Sequence, residues 1–363
     1  MTDHLPSRPL FPTPTPLPGI APPLAEEQAT LVVGPSWVGD MVMAQSLFKI
    51  LKTRDPNTPI DVLAPLWSSP LLARMPEVRQ AIPLTLLHGQ LGLKRRFQAG
   101  RALCGGYKQA LILPNSFKSA LIPFHAKVPR RIGFIGEMRW GLLTDARPLN
   151  RQALPRTADR FVALGLERDD PLPAPLPAPN LLSFPERAAA VLKRLAIPED
   201  DRPLLALSPG AEYGPAKQWP EHHFSALAHN RGKAGWKVLL LGSPKESGLC
   251  HAIAQQAGIN GYNLAGKTSL EEAVDILSVA QGVVCNDSGL MHVAAALGTP
   301  VVAVFGSSDP EHTPPVGPKA RVISLNLPCA PCFKRICPEH HLRCLEEITP
   351  DIVLKQLAVV TQL

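Results

Sequence analysis

Residues 31–44 read LVVGPSWVGDMVMA. An apolar run, Leu31 to Val33, stops in a Gly-Pro-Ser loop, and a second apolar run follows at helical spacing. This is the pattern of a strand, a loop and a helix whose first backbone N–H groups can hold an anion. Asp40 stands at that helix start, where a carboxylate repels a phosphate. A second such unit is VVCNDSGLMHVAAALGTP (283–300). There a strand stops at Asn286-Asp287-Ser288-Gly289 and a small-residue helix begins at once. Gly289 permits close backbone approach, Ser288 adds a hydroxyl, and the free N–H groups with the helix dipole make an anion site. His292 shares a face with Ser288 at i, i+4 spacing, either touching a ligand or filling the core.

Two further loops carry charge. Ser208 to Pro220 holds two glycines, Lys217 and three prolines. Lys217 can neutralise a diphosphate as a point charge, or be a solvated surface lysine. Glu246, just past WKVLLLGSP, can accept hydrogen bonds from ribose hydroxyls or simply compensate a helix start. Residues 261–268, GYNLAGKT, match the P-loop pattern letter for letter. The residues before them read as a helix and a turn, however, and Ser269 with Glu272 reads as a capping box opening a new helix. Cys329, Cys332, Cys337 and Cys344 lie within 16 residues, with His340 and His341 among them. They can hold a structural zinc ion or an iron–sulfur cluster, although the spacing fits no standard zinc knuckle; free thiols and a disulfide stay open.

These loops need strands and helices to position them, and the chain supplies both. From residue 31 the runs LVVG, PIDVLAP, QALILPN and RRIGF, then PLLALSPG, WKVLLLGSP, QGVVCND, TPVVAVFGSS and RVISL, alternate with helical patterns. This predicts an α/β protein with two Rossmann-like domains facing a cleft, ligands lying beyond the carboxyl ends of the strands. No residue-level repeat links the two halves. DDPLPAPLPAPN (169–180) reads as an extended linker, with helices expected from Pro185 and from Pro350 behind a Thr349 cap. The first 28 residues carry eight prolines and no apolar signal core, so they read as an extended or disordered tail of a cytoplasmic chain. A length of 363 residues suits two domains, and 45% apolar with 18% charged residues suits a globular protein. The formal charge of +7 favours anionic partners. Nucleic acid is disfavoured among them, because the chain lacks aromatic stacking platforms and a clustered arginine face.

GPSWVGDMVMAQSLF, LPNSFKSALIPF, GFIGEMRWGLL, SPGAEYGPAKQWP and NDSGLMHVAAALGTPVVAVFGSSDPEHTPP, in this order, resemble the ADP-heptose:lipopolysaccharide heptosyltransferases of glycosyltransferase family 9. The resemblance runs from about residue 30 to the C-terminus. It implies a GT-B fold, and the tail at 1–28 lies outside it; the chain then divides into an acceptor domain 29–168, a linker 169–184, a nucleotide-sugar domain 185–348 and a C-terminal helix 349–363. It also implies an inverting transfer of L-glycero-D-manno-heptose from ADP-heptose to the first heptose of Kdo2-lipid A. Asp40 is then the base for the acceptor hydroxyl, and the helix dipole is expected to help keep it ionised. Lys217 with Asp287, Ser288 and Gly289 would hold the diphosphate, Glu246 the ribose, and His292 would lie near the phosphates or the heptose. Lys118, Arg130 and Arg131 would meet the anionic acceptor, within a basic group that includes Lys94, Arg95 and Arg96. That group fits peripheral association with the inner face of the inner membrane. No cofactor is required in this scheme, and the cysteine cluster is at most structural. A related GT-B enzyme with another nucleotide-sugar or acceptor is the alternative.

Overall fold

The computed structural model describes residues 28–84 and 91–362; the proposed tail, up to residue 27, lies outside them. The first half holds strands β1 (Ala29–Val33), β2 (Ile60–Pro65), β3 (Gln80–Leu84), β4 (Tyr107–Ile112), β5 (Arg130–Phe134) and β6 (Asp145–Arg147). The second holds β7 (Leu204–Ser208), β8 (Lys237–Leu240), β9 (Gly261–Asn263), β10 (Gly282–Asn286), β11 (Val301–Val304) and β12 (Ala320–Ile323). Their orders are β3-β2-β1-β4-β5-β6 and β12-β11-β10-β7-β8-β9. Counted from its own first strand, each sheet reads 3-2-1-4-5-6, the Rossmann order, and every neighbouring pair is parallel. The repeat that residues do not show is present in the topology.

The nine strands expected from sequence form. The central ones are buried on both faces, as in ATLVV and LLALS, which is why they read as unbroken apolar runs. β3, β6 and β9 are additional. β9 occupies the front of the P-loop look-alike: it is three residues long at a sheet edge. Ser269 caps the next helix, its Oγ accepting from the Glu272 N–H at 3.2 Å while Glu272 Oε2 accepts from the Ser269 N–H at 2.8 Å. No phosphate loop is built there.

The helices are α1 (Val38–Arg54), α2 (Ser69–Leu72), α3 (Leu93–Ala102), α4 (Phe117–His125), α5 (Thr157–Gly165), α6 (Pro185–Arg194), α7 (Glu221–Lys233), α8 (Ser247–Gln256), α9 (Leu270–Val279), α10 (Gly289–Ala296), α11 (Arg343–Glu346) and α12 (Pro350–Thr361). None among the described residues is long and apolar enough to cross a membrane. α1 is buried from Met41 to Phe48 without a break, because it packs on α5 within its own half and on α10 of the other. Across the same seam the buried Arg74 guanidinium pairs with the buried Asp275 carboxylate and donates to Leu182 O at 3.0 Å. Asn180 exchanges hydrogen bonds with the Gln45 side chain, and the Leu181 N–H donates to Ala296 O, so the proline-rich passage is stitched to both halves.

Candidate active site

The two switch points, β1/β4 and β7/β10, meet where α1 abuts α10. A Cβ on Gly39 would lie 2.5 Å from His292 Cδ2, and one on Gly289 would lie 2.6 Å from Val38 Cβ. Glycine at both positions lets the two helix starts touch. Beyond β1 and β4 lies a cavity of about 650 Å³ lined by Ser36, Trp37, Asp40, Trp67, Asn115, Lys118 and Arg160. Buried Arg139 braces two of the cavity's lining residues, donating to Pro114 O at 2.6 Å and to Asn115 Oδ1 at 3.1 Å. Of Lys118, Arg130 and Arg131, only Lys118 lines this cavity, together with Arg96 of the wider basic group. Arg130 and Arg131 begin β5, at the amino end of the sheet. Arg130 is engaged bidentately by Glu167, and Arg131 donates to Val128 O and Leu142 O.

On the other side of the seam, the loops after β7, β10 and β11 converge. Asn286 is fully buried and binds them together: its amide donates to Pro209 O and Gly210 O, and its Oδ1 accepts from the Trp219 N–H at 2.9 Å. This fixes the turn that carries Lys217, whose Nζ lies 2.5 Å from Asp287 Oδ2 and 5.0 Å from the Tyr213 ring centre. Asp287 therefore orients the lysine; a carboxylate cannot itself hold a phosphate. Ser288 is the N-cap residue of α10, and its hydroxyl is buried with no hydrogen-bond partner among the described residues. The hydroxyls of Ser307 and Ser308, after β11, are in the same condition. The Ser307 N–H donates to Ala216 O, which places that loop beside Lys217. These two serines were not anticipated, since small polar residues after a strand look like any turn.

Glu246 closes a capping box, its Oε2 accepting from the Ser243 N–H at 2.6 Å. Its carboxylate also covers Gly210, where any Cβ would collide with it. It thus caps a helix start and stands at the mouth of the β7 loop at once. His292 is buried in the seam. Burial drives its pKa down to about 4, with Lys217 adding to the effect and Asp287 opposing it, so the ring is neutral at neutral pH. Burial, and then the nearby Asp287 charge, raise Asp40 to about 6, while Lys217 pulls it the other way. The expected help from the helix dipole is outweighed by desolvation.

The cysteine loop supports this side. Its Arg335 O accepts from the Ala216 N–H, Phe333 O accepts from Tyr213 Oη at 2.8 Å, and the Phe333 N–H donates to Ser307 O. Gly214, at φ +148, is required because a Cβ would lie 2.6 Å from Arg335 O. None of the four cysteines is in a disulfide, and they range from exposed Cys329 to buried Cys344. Burial raises the Cys337 thiol, but backbone N–H groups of Leu342, Glu339, His341 and His340 outweigh it and hold the thiol below its ordinary value. A cross-domain contact completes the cleft: the Thr157 N–H donates to His312 O at 3.1 Å, and His312 Nδ1 lies 2.7 Å from Pro155 O.

Comparison with known proteins agrees with this geometry. A family model described as glycosyltransferase family 9 (heptosyltransferase) matches residues 96–343. The chain is 45% identical to lipopolysaccharide heptosyltransferase 2 of Salmonella typhimurium, over 90% of this chain and 97% of that one. It is 44% identical to the Escherichia coli protein of the same name, with the same coverage. The solved structure of the E. coli ADP-heptose lipopolysaccharide heptosyltransferase II superposes with a TM-score of 0.81 at 41% identity, covering 92% of this chain and 99% of that one. The paired Rossmann domains are those of a GT-B glycosyltransferase, and the chain belongs to glycosyltransferase family 9, the heptosyltransferases.

Proposed function

We propose that the protein transfers L-glycero-D-manno-heptose from ADP-heptose to the first heptose of a Kdo2-lipid A acceptor, with inversion. The observation that carries this reading is the meeting of Asp40, at the mouth of the first-domain cavity, with the Lys217–Asp287 pair of the second domain. Inversion is a single displacement. The acceptor oxygen attacks the anomeric carbon, its proton passes to Asp40, and the bond to the diphosphate breaks on the opposite face. Lys217 and the N–H groups at the start of α10 receive the charge that grows on the leaving ADP. Trp37 and Trp67 wall the acceptor side and Lys118 supplies its positive charge, while Glu246 is assigned to the ribose. ADP release should occur with ADP-heptose and a heptosylated Kdo2-lipid A acceptor, and not with UDP- or GDP-sugars. No turnover with ADP-heptose ends this reading.

The orphan hydroxyls of Ser307 and Ser308 are assigned to the diphosphate as additional donors. Hydrogen bonds to charged groups contribute about 1.5–3 kcal/mol each, so the double change Ser307→Ala and Ser308→Ala should raise the KM for ADP-heptose roughly a hundredfold or more. An unchanged KM removes both residues from the donor site. The lipid-linked acceptor also calls for a membrane-facing surface. α3 and α4 pack side by side and expose Leu93, Phe97, Phe117 and Phe124 beside Lys94, which suits the anionic inner leaflet.

A further inference from the structure

A second group of chemically capable side chains lies outside the cleft, where the first turn of α7 meets α11. Successive residues of a helix point about 100° apart and do not face each other. The rings of His222 and His223 nevertheless have centroids only 4.1 Å apart. Both turn toward one carboxylate: Glu346 Oε2 lies 3.4 Å from His222 Nε2 and 3.8 Å from His223 Nε2. One ligand atom from each of the three lies within 4.8 Å of the others, and no other group of histidine, cysteine or acidic side chains among the described residues meets that condition. A tetrahedral ion with bonds of about 2.0–2.2 Å has ligand-to-ligand edges of about 3.4 Å. The gap between these atoms is therefore already close to the size of a metal ion.

We propose that His222, His223 and Glu346 form a binding site for a divalent transition-metal ion of the zinc type. Two imidazoles and one carboxylate suit zinc, nickel or copper and disfavour magnesium and calcium, which prefer oxygen. His223 is the fixed ligand, with a side chain 12% exposed and its ring stacked on Trp219 at 5.3 Å. His222, 65% exposed, leaves the solvent side open for water. His223 Nε2 lies 2.9 Å from Glu346 O, and the ion replaces that contact. The function of such an ion is to cross-link α7 to α11. Trp219 lies beneath the site and ties both partners to the donor side, its N–H donating to Asn286 Oδ1 and its Nε1–H to Ile348 O. Metal loading should therefore stiffen the turn that follows Lys217.

The proposal is independent of the sugar donor and is tested without turnover. Metal-stripped full-length protein is titrated with zinc against a chromophoric chelator, with magnesium as the control, and its Tm is followed in parallel. One zinc equivalent should bind in the micromolar range and raise the Tm. His222→Ala and Glu346→Gln, both at solvent-facing positions, should each weaken binding about tenfold or more and abolish the Tm rise. Their metal-free Tm should match that of the parent chain. Saturable zinc that survives both changes, or that is lost only in Cys337→Ser, assigns the ion to the cysteine loop and overturns the proposal. Absence of saturable binding does the same and leaves an ordinary histidine–glutamate contact.

Discussion

Asp40→Asn should abolish heptose transfer while leaving ADP-heptose affinity nearly unchanged. The substitution keeps the shape of the side chain in the first turn of α1 and removes only its ability to take a proton. General-base catalysis contributes about 10²–10⁴-fold, so the loss should reach that range in kcat with little change in donor KM. The environment makes the test sharper. Burial and Asp287 raise Asp40 to about 6. The parent enzyme should therefore gain activity as the pH rises through about 6 and level off above it, when the carboxylate is ionised. Stability has the opposite sign. An acid whose pKa is raised in the folded chain binds its proton more tightly there, so its contribution to stability falls as the pH rises from 3.8 through about 6. Asp40→Asn should then match the parent in Tm at low pH and equal or exceed it at neutral pH. Near-normal turnover in that variant would remove Asp40 from the mechanism.

Much of this arrangement was legible in the residues, and the illegible parts share a cause. β1, β7 and β10 are buried on both faces, so their sequences are apolar runs that end abruptly in polar loops. Asp40, Lys217 and Asp287 stand on those loops and are conspicuous by type. β3, β6 and β9 were missed because they lie at sheet edges and are only half-buried, which leaves no clear pattern in five, three and three residues. The basic pair at 130 and 131 shows the complementary limit. RRIGF already places both arginines at the start of its strand, so their charge was counted without regard to strand direction. Arg130 and Arg131 fall at the amino end of β5, while the cleft lies at its carboxyl end. The Lys217–Asp287 contact joins residues 70 positions apart. Only the fold reveals that Asp287 serves the lysine and not the phosphate. The same holds for Asn286, whose three hydrogen bonds join loops that are distant in the chain.

Lys217→Ala should lower kcat/KM for ADP-heptose by about 10²–10³-fold, the cost of removing one strong electrostatic donor from a developing anion. KM for the donor should rise and kcat should fall together, because the diphosphate is charged when bound and more charged as its bond to the sugar breaks. Unaltered KM and kcat would contradict the assignment. The variant should also move a quantity that simple loss of a surface lysine would not. Lys217 lowers the pKa of Asp40 and Asp287 raises it. Removing the lysine leaves Asp287, whose side chain is only 7% exposed, without its cation. The acidic limb of the residual activity in Lys217→Ala should therefore shift above about 6. Asp287→Asn deletes the repelling charge, and its limb should shift below about 6. Opposite displacements of one pH limb by two residues of the second domain require that the titrating group of the first domain lie within their field. A shift in the same direction for both variants, or in neither, would mean that the base is not Asp40, even if both variants were slow.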